Sequence, residues 1–248
     1  MFETFKNFLA RTSPKRQSLI QYNILDLGGS MVLYGETGVW KSWLAMHLAD
    51  SISSGRDWLI YPVNDARVGI INTELTTRQY QDRWISYLKY HATTENLFIY
   101  SESGKTFGSQ LRQLLGWIKN QQLNIIIIDN LYSSLPGDMK GSEAVKDFLA
   151  IMDMIRFDCQ CAVVLIHHSR QPQTDIQGRV ISQQEYEMFG SSYLPNWADT
   201  IMEVNKVYVE GLRDTIKVTI HKFRLMDVPP INATYKFNRQ ILEFEVVI

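Results

Sequence analysis

Apolar residues follow two rhythms along this chain. Short runs rich in Val, Ile and Leu occur at 31–34, 66–72, 97–100, 123–129 and 161–166, each bounded by polar or turn residues. Runs of that length predict buried strands, and those that are apolar on both faces belong inside a covered sheet. Between them, apolar positions recur at helical spacing: Leu44, Leu48 and Ile52, stopping at Gly55; Tyr80, Trp84, Tyr87 and Leu88 within 77–91; Leu111, Leu114, Leu115 and Ile118; and Val145, Phe148, Leu149, Met152 and Ile155. Strand and helix therefore alternate, which predicts a parallel sheet with helices on its faces. Beyond residue 200 the rhythm changes to alternation at 201–204, 215–221, 233–237 and 242–247, with turns at Glu210-Gly211 and Pro229-Pro230, so the last strands should be antiparallel. The expected fold is α/β: a twisted, mostly parallel central sheet flanked by helices, with antiparallel strands at its C-terminal end. Residues 1–23 read as a short amphipathic arm, carrying Phe2, Phe5, Phe8 and Leu9 beside Lys6 and Arg11, and 24–248 as one domain.

The first strand runs directly into Gly35-Glu36-Thr37-Gly38-Val39-Trp40-Lys41-Ser42, and a helical pattern follows. A glycine turn between a strand and a helix aims backbone N–H groups and the helix dipole at one point, which suits a polyanion. Gly35, Gly38, Lys41 and Ser42 fit the phosphate-loop pattern, in which the lysine reaches the β and γ phosphates and the hydroxyl binds Mg²⁺. Trp40 stands where the pattern has its second glycine, and a side chain there can require a strained φ. A chance turn of the same letters is the plain alternative.

Three further strands deliver candidate chemistry to the same edge. The strand at 66–72 leads to Glu74, which can orient and deprotonate a water, or can simply cap the following helix. The run at 123–129 ends on Asp129, suited to the magnesium side of the site. The strand at 161–166 leads to His167 and His168, one of which can sense a γ-phosphate through a hydrogen bond; adjacent strand residues point to opposite faces, which disfavours a metal pair. Residues 170–184 are polar, with Arg170 and Arg179 as candidate contacts to a phosphate backbone or as ordinary loop residues. Lys222 and Arg224 share a face of an extended segment, either solvated or able to reach a neighbouring subunit's γ-phosphate.

Composition narrows this picture only slightly. Hydrophobic residues make up 45% and charged residues 21%, and the net charge is −1, so any nucleic acid must be held by a local patch or by several subunits together. No apolar run approaches the length of a membrane span. Cys159 and Cys161 are too close for an ordinary disulfide and too few for a zinc site, which fits a reducing, cytoplasmic compartment.

Taken together, Gly35 to Ser42, Gly69 to Glu74, Ile125 to Asp129, Val163 to Ser169, Gly190-Ser191-Ser192 with Trp197-Ala198-Asp199, and the Lys222-Phe223-Arg224 spacing resemble the RecA-like P-loop ATPases of the DnaB, KaiC and RepA group, most nearly the RepA-like hexameric replicative helicases. The resemblance implies ATP and Mg²⁺ as ligands, a homo-oligomer in the form of a six-membered ring, single-stranded DNA in its channel, and other replication or recombination proteins as partners. It assigns Lys41 and Ser42 to phosphate and Mg²⁺, Glu74 to the general base, Asp129 to the metal side, His168 to γ-phosphate sensing, and Lys222 with Arg224 to fingers acting in trans. No accessory domain is visible in the sequence, which suits a plasmid or phage replication protein. Trp40 departs from the family pattern and opens an alternative: a nucleotide-gated DNA-binding, recombination or assembly protein with weak or no hydrolysis. A structural protein that keeps a vestigial site is the third reading.

Overall fold

The computed structural model describes residues 3–11, 17–92, 94–101, 107–134, 142–169, 193–224 and 232–247. In chain order the elements are α1 (Phe5–Ala10), β1 (Ser18–Ile20), β2 (Leu25–Asp26), β3 (Ser30–Gly35), α2 (Lys41–Ser54), β4 (Val68–Asn72), α3 (Thr77–Tyr87), β5 (Leu97–Ser101), α4 (Phe107–Asn120), β6 (Ile125–Asp129), α5 (Leu131–Ser134), α6 (Ser142–Asp158), β7 (Ala162–His168), α7 (Tyr193–Trp197), β8 (Thr200–Lys206), β9 (Thr215–Phe223), β10 (Ala233–Asn238) and β11 (Glu243–Val247). Among these, nine strands form one sheet in the order β11-β10-β9-β8-β3-β7-β6-β4-β5. From β8 to β5 every pairing is parallel; β8–β9, β9–β10 and β10–β11 are antiparallel. The expected α/β architecture is the one found.

The sheet has two dry faces, which is why β3, β4 and β6 read as continuous apolar runs. On one face Met31, Leu33, Ile70, Ile127, Val164 and Ile166 pack with Leu44, Leu48 and Ile52 of α2 and with Tyr80, Trp84 and Tyr87 of α3. On the other, Val32, Ile71, Ile126, Ile128, Val163 and Leu165 meet Leu114 and Ile118 of α4 and Phe148, Met152 and Ile155 of α6. Fully burying one such aliphatic side chain is worth roughly 1.5–3 kcal/mol, so the central strands are held rigidly.

The chain termini need an adjustment. The apolar side chains of α1, Phe5, Phe8 and Leu9, are exposed. Leu19 and Ile20, however, lie inside the core on the α2 face, so the segment from β1 onward packs with the domain rather than with the arm. The helix expected over 77–91 closes earlier, at Tyr87, with Leu88 as its C-cap. Among the described residues no helix is long and apolar enough to cross a membrane.

Candidate phosphate-binding site

The loop after β3 is shaped by its neighbours. Gly35 pairs with His168 of β7 on one side and Val204 of β8 on the other, and a Cβ at Gly35 would lie 2.2 Å from the Val204 carbonyl oxygen. Only glycine fits that approach. Gly38 takes a φ of +85°, and Trp40 a φ of +67° with ψ 19°, as the N-cap of α2. The strained φ anticipated for Trp40 is therefore adopted in full; for a residue with a Cβ it costs roughly 1–2 kcal/mol.

Lys41 opens α2 with its side chain folded back into the loop. It is only 4% exposed, and its ammonium donates to the carbonyls of Gly35 at 2.8 Å and Glu36 at 2.5 Å. Burial lowers its pKa to about 8, against the opposing pull of Asp129, Glu74 and Glu36. Glu36, Thr37 and Gly38 are exposed, leaving the outer side of the loop open above the N-terminus of a 14-residue helix.

Strand register brings the acids to this edge. Asn72 of β4 is level with Asp129 of β6, so the residues that follow β4 emerge beside the end of β6. Asp129 is buried; burial pushes its carboxyl above the ordinary range, and the Ser42 hydroxyl pulls the other way. The Asp129–Asn130 peptide is cis. Thr73 ties the two strand ends together, its N–H donating to the Asp129 carbonyl at 3.0 Å and its hydroxyl to the Asn130 carbonyl at 3.0 Å.

Glu74 does not cap α3. That cap is Thr76, whose hydroxyl accepts from the Gln79 N–H while the Gln79 side chain accepts from the Thr76 N–H. The Glu74 side chain is 45% exposed and accepts from Asn130 Nδ2 at 2.6 Å; the same amide is 3.1 Å from His168 Nε2. His168 and Asn130, with Arg83 further off, hold the Glu74 carboxyl below its ordinary range, against burial. At 3.9 Å the His168–Glu74 separation is too long for a hydrogen bond, so the Asn130 bond is the one that fixes the carboxylate.

Strand alternation separates the two histidines. His168 follows Val164 and Ile166 on the α2 face and so meets Glu74 and Asn130, whereas His167 follows Val163 and Leu165 into the opposite face, where burial lowers its pKa to about 3. No cluster of potential metal-binding His, Cys, Asp and Glu side chains occurs among the described residues.

Lys222 and Arg224 are not brought to this edge. Lys222 pairs with Ile201, which pairs with Val32, so it stands roughly 10 Å back along the strands from Gly35, and Arg224 lies beyond it toward the amino ends of β3 and β8. Neither is merely solvated. Lys222 donates to the Pro195 carbonyl, and Arg224 to Asp199 at 3.1 Å and to the Asn196 carbonyl at 2.7 Å. Arg170 and Arg179, and the Gly190-Ser191-Ser192 stretch, lie outside the described residues.

Several contributors are not apparent from sequence patterns. Asn130 has one signal, its position directly after a strand-ending acid. Arg83, stacked 5.3 Å over the Trp43 ring, adds positive potential felt by both Glu74 and Asp129. The third set surrounds Trp40: its ring stacks on Phe237 at 4.7 Å and 30°, the Arg239 guanidinium lies 4.7 Å over it, and Arg239 is itself gripped by Asp214 at 2.6 and 2.8 Å. Phe237 also meets Trp43 and Phe244. A stacked aromatic pair contributes about 1 kcal/mol, similar in size to the cost of the Trp40 backbone.

The donor set suits the ligands that the loop predicts. The Ser42 hydroxyl and the Asp129 carboxylate are hard oxygen donors appropriate to Mg²⁺, and a buried ammonium at a helix N-terminus is appropriate to phosphate. A comparison with curated proteins returned no match. The model of the AAA domain family AAA_25 matches residues 2–174, which span β3, the phosphate loop, Glu74, Asp129 and His168. With that match covering well over half of the chain and the loop geometry in agreement, the protein belongs to the AAA_25 family of AAA domains, an ATPase family of the P-loop class.

Proposed function

We propose that this protein is a Mg²⁺-dependent ATP hydrolase that works as a RecA-like ring on single-stranded DNA, in the manner of RepA- or DnaB-type replicative motors. The observation that carries the reading is the convergence of Lys41, Ser42, Asp129, Glu74 and His168 on one sheet edge, with Ser42 acting on the Asp129 carboxyl and Glu74 held by Asn130. Lys41 exchanges its loop carbonyls for phosphate oxygens. Ser42 and Asp129 would hold Mg²⁺, whose chemistry there would be to neutralise charge on those oxygens. Glu74 is kept ionised by His168 and Asn130, and so takes a proton from the attacking water. His168 shares Asn130 with that base, which lets it report on the γ-phosphate.

Lys222 and Arg224 stand back from their own loop, which leaves them to a neighbour's site. In a six-membered ring they complete the adjacent subunit's site, while Arg170 and Arg179 contact the strand in the channel. Other replication or recombination proteins would load such a ring in a cytoplasmic setting.

One observation favours the second reading, nucleotide-gated binding with little hydrolysis. The Lys41 ammonium is already satisfied by two loop carbonyls, so repositioning it on the γ-phosphate for turnover must compete with internal bonds. Steady-state ATP hydrolysis with Mg²⁺, with and without single-stranded DNA, alongside the mass in solution, separates the two. DNA-stimulated turnover by a ring-sized oligomer supports the motor; tight binding without turnover supports the gate.

A further inference from the structure

Trp40 combines two features that are costly apart and consistent together. Its backbone is left-handed, a state glycine reaches freely and tryptophan does not, and its ring is packed between elements distant in sequence. The partners come from the end of the chain: Phe237 is on β10, Arg239 follows it, and Asp214 holds Arg239 from the segment leading into β9. Phe237 is buried against Phe244 of β11 and Trp43 of α2, so the ring that supports Trp40 is itself packed into the core. Phe237, Arg239, Asp214 and Phe244 all lie beyond the residues matched by the family model.

We infer that Trp40 is a positioning residue through which the β10–β11 hairpin sets the conformation of the phosphate loop. A glycine at this position would let the loop sample both signs of φ and close on phosphate by itself. With tryptophan, the loop is held in its left-handed turn by the Phe237 stack and the Arg239 cap, and Lys41, the next residue, inherits its direction from that turn. Phosphate affinity is therefore coupled to the integrity of the C-terminal hairpin. The coupling is reciprocal: a ligand that selects the turned loop stabilises the hairpin against opening.

The inference rests on the loop being a nucleotide site, and its test is arranged so that the two can fail separately. Binding of a fluorescent ATP analogue with Mg²⁺ is titrated for the full chain, for Phe237→Ala, for Trp40→Gly and for the double variant. Loss of the stack weakens binding about three- to tenfold when Trp40 is present. In the Trp40→Gly background the same Phe237 change alters affinity by less than about twofold, because no ring remains to be held. Equal weakening in both backgrounds overturns the coupling.

Hydrogen exchange of the free protein gives a readout without nucleotide. The amides of residues 36–40 exchange faster in Phe237→Ala than in the wild type, and unchanged exchange there overturns the tether. If the wild type does not bind the analogue at all, the nucleotide reading falls, while the exchange result still decides the tether. Should Phe237→Ala fail to fold, Phe237→Leu, which keeps an apolar side chain, and Arg239→Gln, at the exposed end of the stack, carry the same two measurements.

Discussion

In the parallel half of the sheet, β4, β6 and β7 each lead at their carboxyl ends to a group able to do chemistry: Glu74, Asp129 and His168. Among the described residues, the antiparallel half, β9 to β11, contributes none of these three groups. It supplies rings and a guanidinium that hold Trp40, and it carries Lys222 and Arg224 toward the opposite edge. The difference follows from topology. Parallel strands all end at one edge, so each crossover returns the chain to add another residue to the same site. Antiparallel strands alternate in direction, so their side chains act by packing beside the site or by pointing away from it.

Substitutions in the two halves should therefore fail in different ways. The largest effect belongs to Lys41→Ala, which removes the ammonium that the loop encloses and should abolish measurable binding of nucleotide in an equilibrium titration; binding at wild-type strength would remove the site. Next are Glu74→Gln and Arg224→Ala, each expected to lower turnover on the order of 10³-fold with affinity nearly intact. Single-turnover hydrolysis measures both. Glu74→Gln should be defective at every protein concentration, and wild-type turnover by an Arg224→Ala oligomer of normal mass would show that this residue does not serve a neighbour.

The smallest effect concerns the seam between the halves. His47 of α2 lies edge-on to Phe244 of β11, and burial, with His91 and Arg56 adding to it, lowers its pKa from 6.5 to about 4. The folded state thus favours neutral His47, while the unfolded chain takes up a proton below about pH 6.5. Stability from this residue is fully present above that pH and is lost as pH falls toward 4, by about 3 kcal/mol in total. Urea midpoints recorded from pH 7 to 4.5 should fall less steeply for His47→Leu than for the wild type. Parallel slopes would mean that the seam does not titrate.

The legibility of the sequence divides along the same line. β3, β4 and β6 are legible because strands covered on both faces must be continuously apolar, and the acids at their ends stand out against those runs. The sequence also exposes the Trp40 anomaly, since the departure from glycine is a single letter in a short motif. What supports Trp40 is not legible. Phe237 and Arg239 look like ordinary members of an alternating strand and its turn, and only the sheet order brings them to residue 40. Likewise Leu19 and Ile20 cannot be told from the preceding arm by spacing alone, because three-residue strands carry too little pattern. Which histidine faces Glu74 depends on register, and that is a property of the folded sheet.

The stack between Trp40 and Phe237 joins residues about 200 positions apart. A ribosome delivers the whole parallel half, with every acid and the lysine, before it makes the ring that steadies the loop. The nascent chain therefore carries the letters of a nucleotide site well before it carries a finished one, and a product cut short before the last hairpin would keep the motif and lose its grip.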